Sequence, residues 1–148
     1  MKDETITIKG EVSLRGYNEK NELVLEWNKK NLVVNAGKGV LAAVLRNGTT
    51  TQIVNGIAFG TSGAVATLAD TALTGAFTKV INSSSNPTVN SAQFNWALEY
   101  NENNGMTIRE FGLIVDRTGT PVLFSRIVSE PIAKTSALRL EGTWKITF

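Results

Sequence analysis

The chain predicts a mainly β protein: an antiparallel β-sandwich or partly open barrel of about eight strands, with one short α-helix at about residues 36–46. Three observations carry this. Apolar and polar residues alternate with period two in several short segments, glycine- and asparagine-rich turns separate those segments, and only one stretch repeats its apolar residues with the helical period. The 148 residues fit one domain, 1–148, able to bury about two-thirds of the surface its unfolded chain exposes. With 19% charged residues and 3 prolines, the composition is neither that of a disordered chain nor that of a coiled coil.

Ile6, Ile8, Val12 and Leu14 alternate with polar neighbours, with Gly10 as a candidate bulge. Residues 16–21 read as a turn, and Leu23, Leu25 and Trp27 alternate again, so residues 5–28 are expected to form a hairpin. Asn35 is a suitable N-cap for the helix, whose Val40, Leu41, Val44 and Leu45 share one face. Arg46 suits the last turn, and Gly48 suits the stop. Strands follow at 53–59 and 77–81, separated by the small, loop-like residues 64–76, and Asn82–Asn86 reads as a polar turn. Phe94, Trp96, Leu98 and Tyr100 alternate. Residues 101–105 turn, and 107–116 pairs with 121–130 across Arg117-Thr118-Gly119. The last strand places Leu138, Leu140, Trp144, Ile146 and Phe148 on one face and Arg139, Glu141, Thr143, Lys145 and Thr147 on the other.

Much chemistry is excluded at once. The chain has no cysteine, hence no disulfide, thiolate-bound metal or thiol nucleophile, and no histidine, the usual general base near neutral pH. Glu99, Glu110, Glu130 and Glu141 lie on predicted strands among apolar neighbours and are expected on a solvated or ion-paired face, not as a catalytic pair. Gly37-Lys38-Gly39 lacks the remainder of a phosphate loop, and Gly60-Thr61-Ser62-Gly63 precedes no convincing helix, so both read as turn chemistry. Asn101–Gly105 offers one carboxylate and is expected to be a plain turn, not a calcium loop. The net charge of +2 and the single basic doublet, Lys29-Lys30, argue against a nucleic-acid partner. Met1–Thr5 lacks a signal-peptide pattern and no apolar run suits a membrane span, so a chain made soluble in a cytoplasm is expected, with no membrane partner. The sequons at Asn47 and Asn82 are then chance matches. The terminal Phe148 is a feature of outer-membrane barrels, but the central helix and the polar opposite face are not.

One ordered set of blocks goes further. Asn31-Leu32-Val33-Val34-Asn35-Ala36-Gly37-Lys38 precedes the helix, and Ile57–Gly63 and Asp70-Thr71-Ala72-Leu73 follow it. Thr107–Leu113, with Arg109-Glu110-Phe111-Gly112, and Pro131–Thr135 come later, before the terminal strand. This order over residues 31–148 resembles a family of small virion structural proteins of tailed bacteriophages, of the tail-fibre, collar or baseplate type. The resemblance implies a non-enzymatic assembly protein of the virion, without cofactor, made in the host bacterial cytoplasm. Its partners would be copies of itself, a trimer being the first expectation, and neighbouring tail, collar or capsid proteins. Within the blocks, Gly37 and Gly39 are expected to let the helix approach another backbone, and Asp70-Thr71 to form an Asx or Thr turn. Arg109 is expected either to pair inside the fold or to hold a carboxylate on another subunit.

Residues 1–30 lie outside the resemblance and are expected to form an edge hairpin or interaction arm, which could be deleted to residue 28 without unfolding the domain. Interface residues are expected at 48–56 and 60–76, with Ala66 and Ala69 in the small-residue loop. Two further function classes stand beside the tail or collar building block. One is a capsid decoration protein; the other is a carbohydrate-binding host-recognition module that stacks sugars on Tyr17, Trp27 or Trp96.

Overall fold

The computed structural model describes residues 7–47, 53–116 and 119–148. Its elements are β1 (Lys9–Asn18), β2 (Leu23–Val33), α1 (Asn35–Asn47), β3 (Gly56–Gly60), β4 (Phe77–Val80), β5 (Ser83–Ser85), β6 (Ser91–Leu98), β7 (Thr107–Asp116), β8 (Pro121–Ala133) and β9 (Leu138–Thr147). Among the described residues, nine antiparallel strands form one curled sheet in the order β4-β3-β7-β8-β2-β1-β9-β6-β5, a half-barrel with one helix. The mainly β class with a single short helix is as the alternation predicts.

Two strands make the corners. β2 pairs with β1 as far as Asn31 and then, through Leu32 and Val33, with β8. At the opposite side, β4 ends one edge of the sheet and β5 the other, yet only Ile81 and Asn82 separate them. The Ile81 N–H donates to Asn55 O (3.1 Å) and the Asn82 N–H to Asn95 O (2.7 Å), so the chain stitches the two edges together.

The inner faces meet in the core. Val12, Leu14, Leu140, Trp144 and Ile146 come from one half, and Ile57, Phe59, Phe111, Leu113 and Ile127 from the other. Its centre is aromatic: Phe59 packs edge-on against Trp96 (centroids 5.4 Å apart) and Phe111 (5.7 Å), and Trp27 edge-on against Phe111 (5.7 Å). Trp96 lies over Gly142, its cross-strand partner, where any Cβ would run into the indole. A second, smaller cluster, Val34, Ala58, Ile114 and Leu123, packs on the outer face of β3, β7 and β8, so these strands are covered on both sides.

Several expectations are corrected. In place of the hairpin expected over 5–28, β1 (Lys9–Asn18) and β2 (Leu23–Val33) pair as a hairpin, and they are central strands, not an edge. Gly10 pairs regularly with Asn31; the irregularity lies between Gly16 and Tyr17. The polar turn at 82–86 contains the three-residue strand β5. Phe148 is outside the core, and Leu45 points to solvent. Asn35 is the first helical residue, and the first helical bond runs from Lys38 N–H to the Val34 carbonyl. Gly37 does make the expected close approach, since a Cβ there would meet the Phe124 carbonyl of β8, whereas Gly39 faces open space. Ile6, the expected helix stop Gly48, the 48–52 part of the expected interface loop, and Arg117-Thr118 lie outside the described residues.

Candidate functional site

Between β3 and β4 the chain lays a strap, residues 61–76, over the outer face of β3, β7 and β8. Leu73 packs into the small outer cluster, and Gly112 leaves room for it: a Cβ at Gly112 would sit 3.3 Å from Leu73 Cδ1. Gly60 leaves similar room for the Glu110 carboxylate, 2.7 Å from where its Cβ would be.

That carboxylate organises the strap. Its Oε2 accepts the Ser62 N–H (2.8 Å) and the Thr74 N–H (3.0 Å), pinching the two ends together, and Thr61 N–H donates to Thr74 O (3.1 Å). Its Oε1 accepts from Arg126 Nε (2.9 Å). Arg126 then extends under the strap, donating from Nη1 to Asp70 Oδ2 (3.0 Å) and from Nη2 to Ala64 O (2.9 Å). Asp70 in turn accepts the Thr67 N–H (2.9 Å) and hydroxyl (2.8 Å), and Asn35 N–H donates to Leu68 O (2.9 Å). Glu110 is 1% exposed and Arg126 4%, so each buried charge has its counter-charge and its donors or acceptors satisfied. The Thr67 N–H, the Thr67 hydroxyl and the Arg126 charge hold the Asp70 carboxyl below its ordinary value of 3.8, against burial, which acts the other way.

Of the two expectations for Glu110, a solvated or an ion-paired face, the ion-paired one holds: it pairs with Arg126 on a face roofed by the strap. One expectation changes, since Asp70 makes no forward turn but grips Thr67 and Arg126. Arg126 itself was not singled out, although an arginine inside the apolar run from Leu123 to Val128 is a signal of a buried charge needing partners.

So fixed, the strap presents Val65 (84% exposed), Leu68 (44%) and Ala69 to solvent, while Ala66 is half-buried. No residue from Thr61 to Ala69 is charged. Arg109 is half-buried beside Gly63 and, among the described residues, forms no salt bridge. The other singled-out residues lie elsewhere. Tyr17 is on the outer face of β1 with its hydroxyl on Glu141 Oε1 (3.0 Å). Trp27 packs into the core with Lys29 Nζ 5.2 Å from its ring centroid.

Glu99, Glu102 and Glu141 also have structural partners. Arg139 bridges Glu99 (2.8 Å) and Glu141 (2.9 Å), and the Arg139 and Tyr17 hydrogen bonds hold the Glu141 carboxyl below its ordinary value. Lys79 pairs with Glu102 (2.6 Å); burial raises the Glu102 carboxyl, but Lys79, the Glu99 N–H and Lys134 outweigh it. Lys134 is buried, donating to Asn104 Oδ1 (2.8 Å) and Thr135 O (3.0 Å), and burial pushes its ammonium below the ordinary lysine value.

An apolar hollow lies against α1. It is a groove of about 320 Å³ lined by Leu41 and Val44 of α1 together with Phe94, Ile146 and Phe148, and among the described residues none that lines it is charged. A trough of about 440 Å³ lined by polar residues lies on the outer face of β1, β9 and β6, between Ser13, Arg15, Asn95, Glu141 and Thr143. Comparison with family models, curated proteins and solved structures gives no match to this chain.

Proposed function

We propose that the protein is a non-enzymatic building block of a tailed-bacteriophage virion, in the tail, collar or fibre-attachment region, working through contacts with copies of itself and with neighbouring virion proteins. The kind of particle rests on the ordered blocks over residues 31–148. The observation that supports a building-block role is the strap: uncharged from Thr61 to Ala69, it holds exposed Val65 and Leu68 in place through a buried arginine and two carboxylates, Glu110 and its own Asp70. A rigid apolar projection suits a partner surface, since little freedom is lost on docking. Three of the four carboxylates that sequence offers for acid–base work are spent on positioning, Glu110 on the strap and Glu99 and Glu141 on Arg139, and Glu130 stands on an exposed position. Sugar stacking on Trp27 or Trp96 is disfavoured because both rings pack in the aromatic core.

Electron microscopy of phage particles carrying an affinity label on this protein tests the reading. Label on the tail, collar or fibre base is the expected result. Label spread over the shell would instead support capsid decoration, and absence of the protein from purified particles would overturn both.

A further inference from the structure

We propose that the strap is a two-tier latch: its tip, residues 63–70, opens as one unit when Asp70 takes up a proton, while its neck stays closed on the sheet. The two tiers are held by different means. At the neck, Thr61 N–H donates to Thr74 O, Ser62 and Thr74 donate to the buried Glu110, and Leu73 packs into the outer apolar cluster. The tip has no such packing: none of residues 63–70 is buried, and none belongs to either apolar cluster.

Among the described residues, three hydrogen bonds moor the tip to the sheet and helix. Arg126 gives two of them, from Nη1 to Asp70 Oδ2 (3.0 Å) and from Nη2 to Ala64 O (2.9 Å), and the Asn35 N–H gives the third to Leu68 O (2.9 Å). The Thr67 bonds to Asp70 lie within the tip and hold its shape, so it moves as a piece. Around Asp70 the charged groups are Arg126 from β8, with Glu110 of β7 on its Nε, and Arg109 of β7 beside Gly63. No residue of β3 is charged, and α1 contributes the Asn35 N–H. A proton on Asp70 removes the counter-charge that Nη1 meets, and a neutral hydrogen bond is roughly half as strong as a charged one. Arg126 keeps its Glu110 partner at Nε, so the neck is untouched. The Thr67 N–H foremost, and the Arg126 charge, hold the Asp70 carboxyl below 3.8, so the latch stays shut at neutral pH and opens as pH falls through that lower value. Opening releases Val65 and Leu68 from their fixed positions and bares the Arg126 Nη groups to water, whatever those apolar side chains touch.

Nuclear magnetic resonance reads both tiers, through amide exchange and the arginine side-chain signals. Asp70→Asn imitates the protonated carboxyl at neutral pH. In it the Asn35 N–H and the Arg126 Nη protons should lose about tenfold to a hundredfold in protection, as loss of a bond to a charged group implies. The Ser62 and Thr74 N–H groups, Arg126 Nε–H and the β7 amides should keep theirs. The wild type should pass to the same pattern below about pH 4, a measurement that needs no variant should Asp70→Asn melt early. Asn35 protection that survives both changes would overturn the proposal, because the tip would then be fixed without Asp70. Asn35 protection lost together with that of Ser62 and Thr74, whether or not the strands follow, would overturn the two tiers.

Discussion

Glu110 is the residue on which the strap depends, and its replacement should be costly. Glu110→Gln keeps the shape, but its NH2 group must face donors, either the Ser62 and Thr74 N–H groups or Arg126 Nε, and Arg126 loses one of its two carboxylate partners. Breaking such a pair from one side costs about 3–5 kcal/mol. Urea unfolding should show that loss for Glu110→Gln, against a change within about 0.5 kcal/mol for Glu130→Gln on an exposed position. Asp70 adds a pH dependence whose sign follows from its lowered pKa. A depressed carboxyl contributes stability that is present above its unfolded value, near 3.8, and is lost as pH falls through its lower folded value. Stability measured from pH 7 downward should therefore drop below about pH 4, and Asp70→Asn should start lower at neutral pH and fall less steeply in acid. The knot was half legible in the sequence. Alternation correctly places Glu110 opposite Phe111, but a strand pattern cannot report that a loop forty residues earlier in the chain will roof the polar face.

At the scale of elements, α1 shows what local periodicity conveys and what it omits. Its apolar residues at 40, 41, 44 and 45 and the basic Arg46 in its last turn locate the helix within a residue at each end. They do not reveal how far the core extends beneath it: Val40 is buried, whereas Val44 borders the groove and Leu45 faces water. The two glycines of the first turns make a sharper contrast, since sequence treats them alike. Helix propensity favours alanine over glycine by about 1 kcal/mol at either position. At Gly39, with open space around it, Gly39→Ala should gain most of that and raise the melting temperature by a few degrees. At Gly37 the new Cβ meets the Phe124 carbonyl, which is backbone of β8 and already accepts the Val34 N–H. Moving it should cost about 1–3 kcal/mol and more than cancel the gain. Opposite shifts in melting temperature for two identical substitutions two residues apart are the expected result.

For the whole molecule, strand content was legible and strand order was not. Alternation marks β1 and β2 as strands and their short turn as a hairpin, because those signals are local. Whether a hairpin sits at the rim or the centre depends on pairings more than a hundred residues apart, such as Val12 with Trp144, for which the sequence carries no local mark. The corner in β2 is equally silent: nothing at Asn31 and Leu32 announces that one strand will leave β1 and join β8. The central placement reverses the expected outcome of truncation. Deleting residues 1–28 removes all of β1 and half of β2, strips β9 of one neighbour along its whole length, and takes Val12, Leu14, Leu25 and Trp27 from the packed interior. What remains is a sheet split into β4-β3-β7-β8 and β9-β6-β5, still in contact through Phe59 and Trp96 and the 81–82 stitch, but each with a newly opened, apolar-faced edge. The truncated chain should lose its cooperative thermal transition and near-ultraviolet circular dichroism and aggregate on expression. A detachable arm would instead leave a soluble domain with a sharp melt.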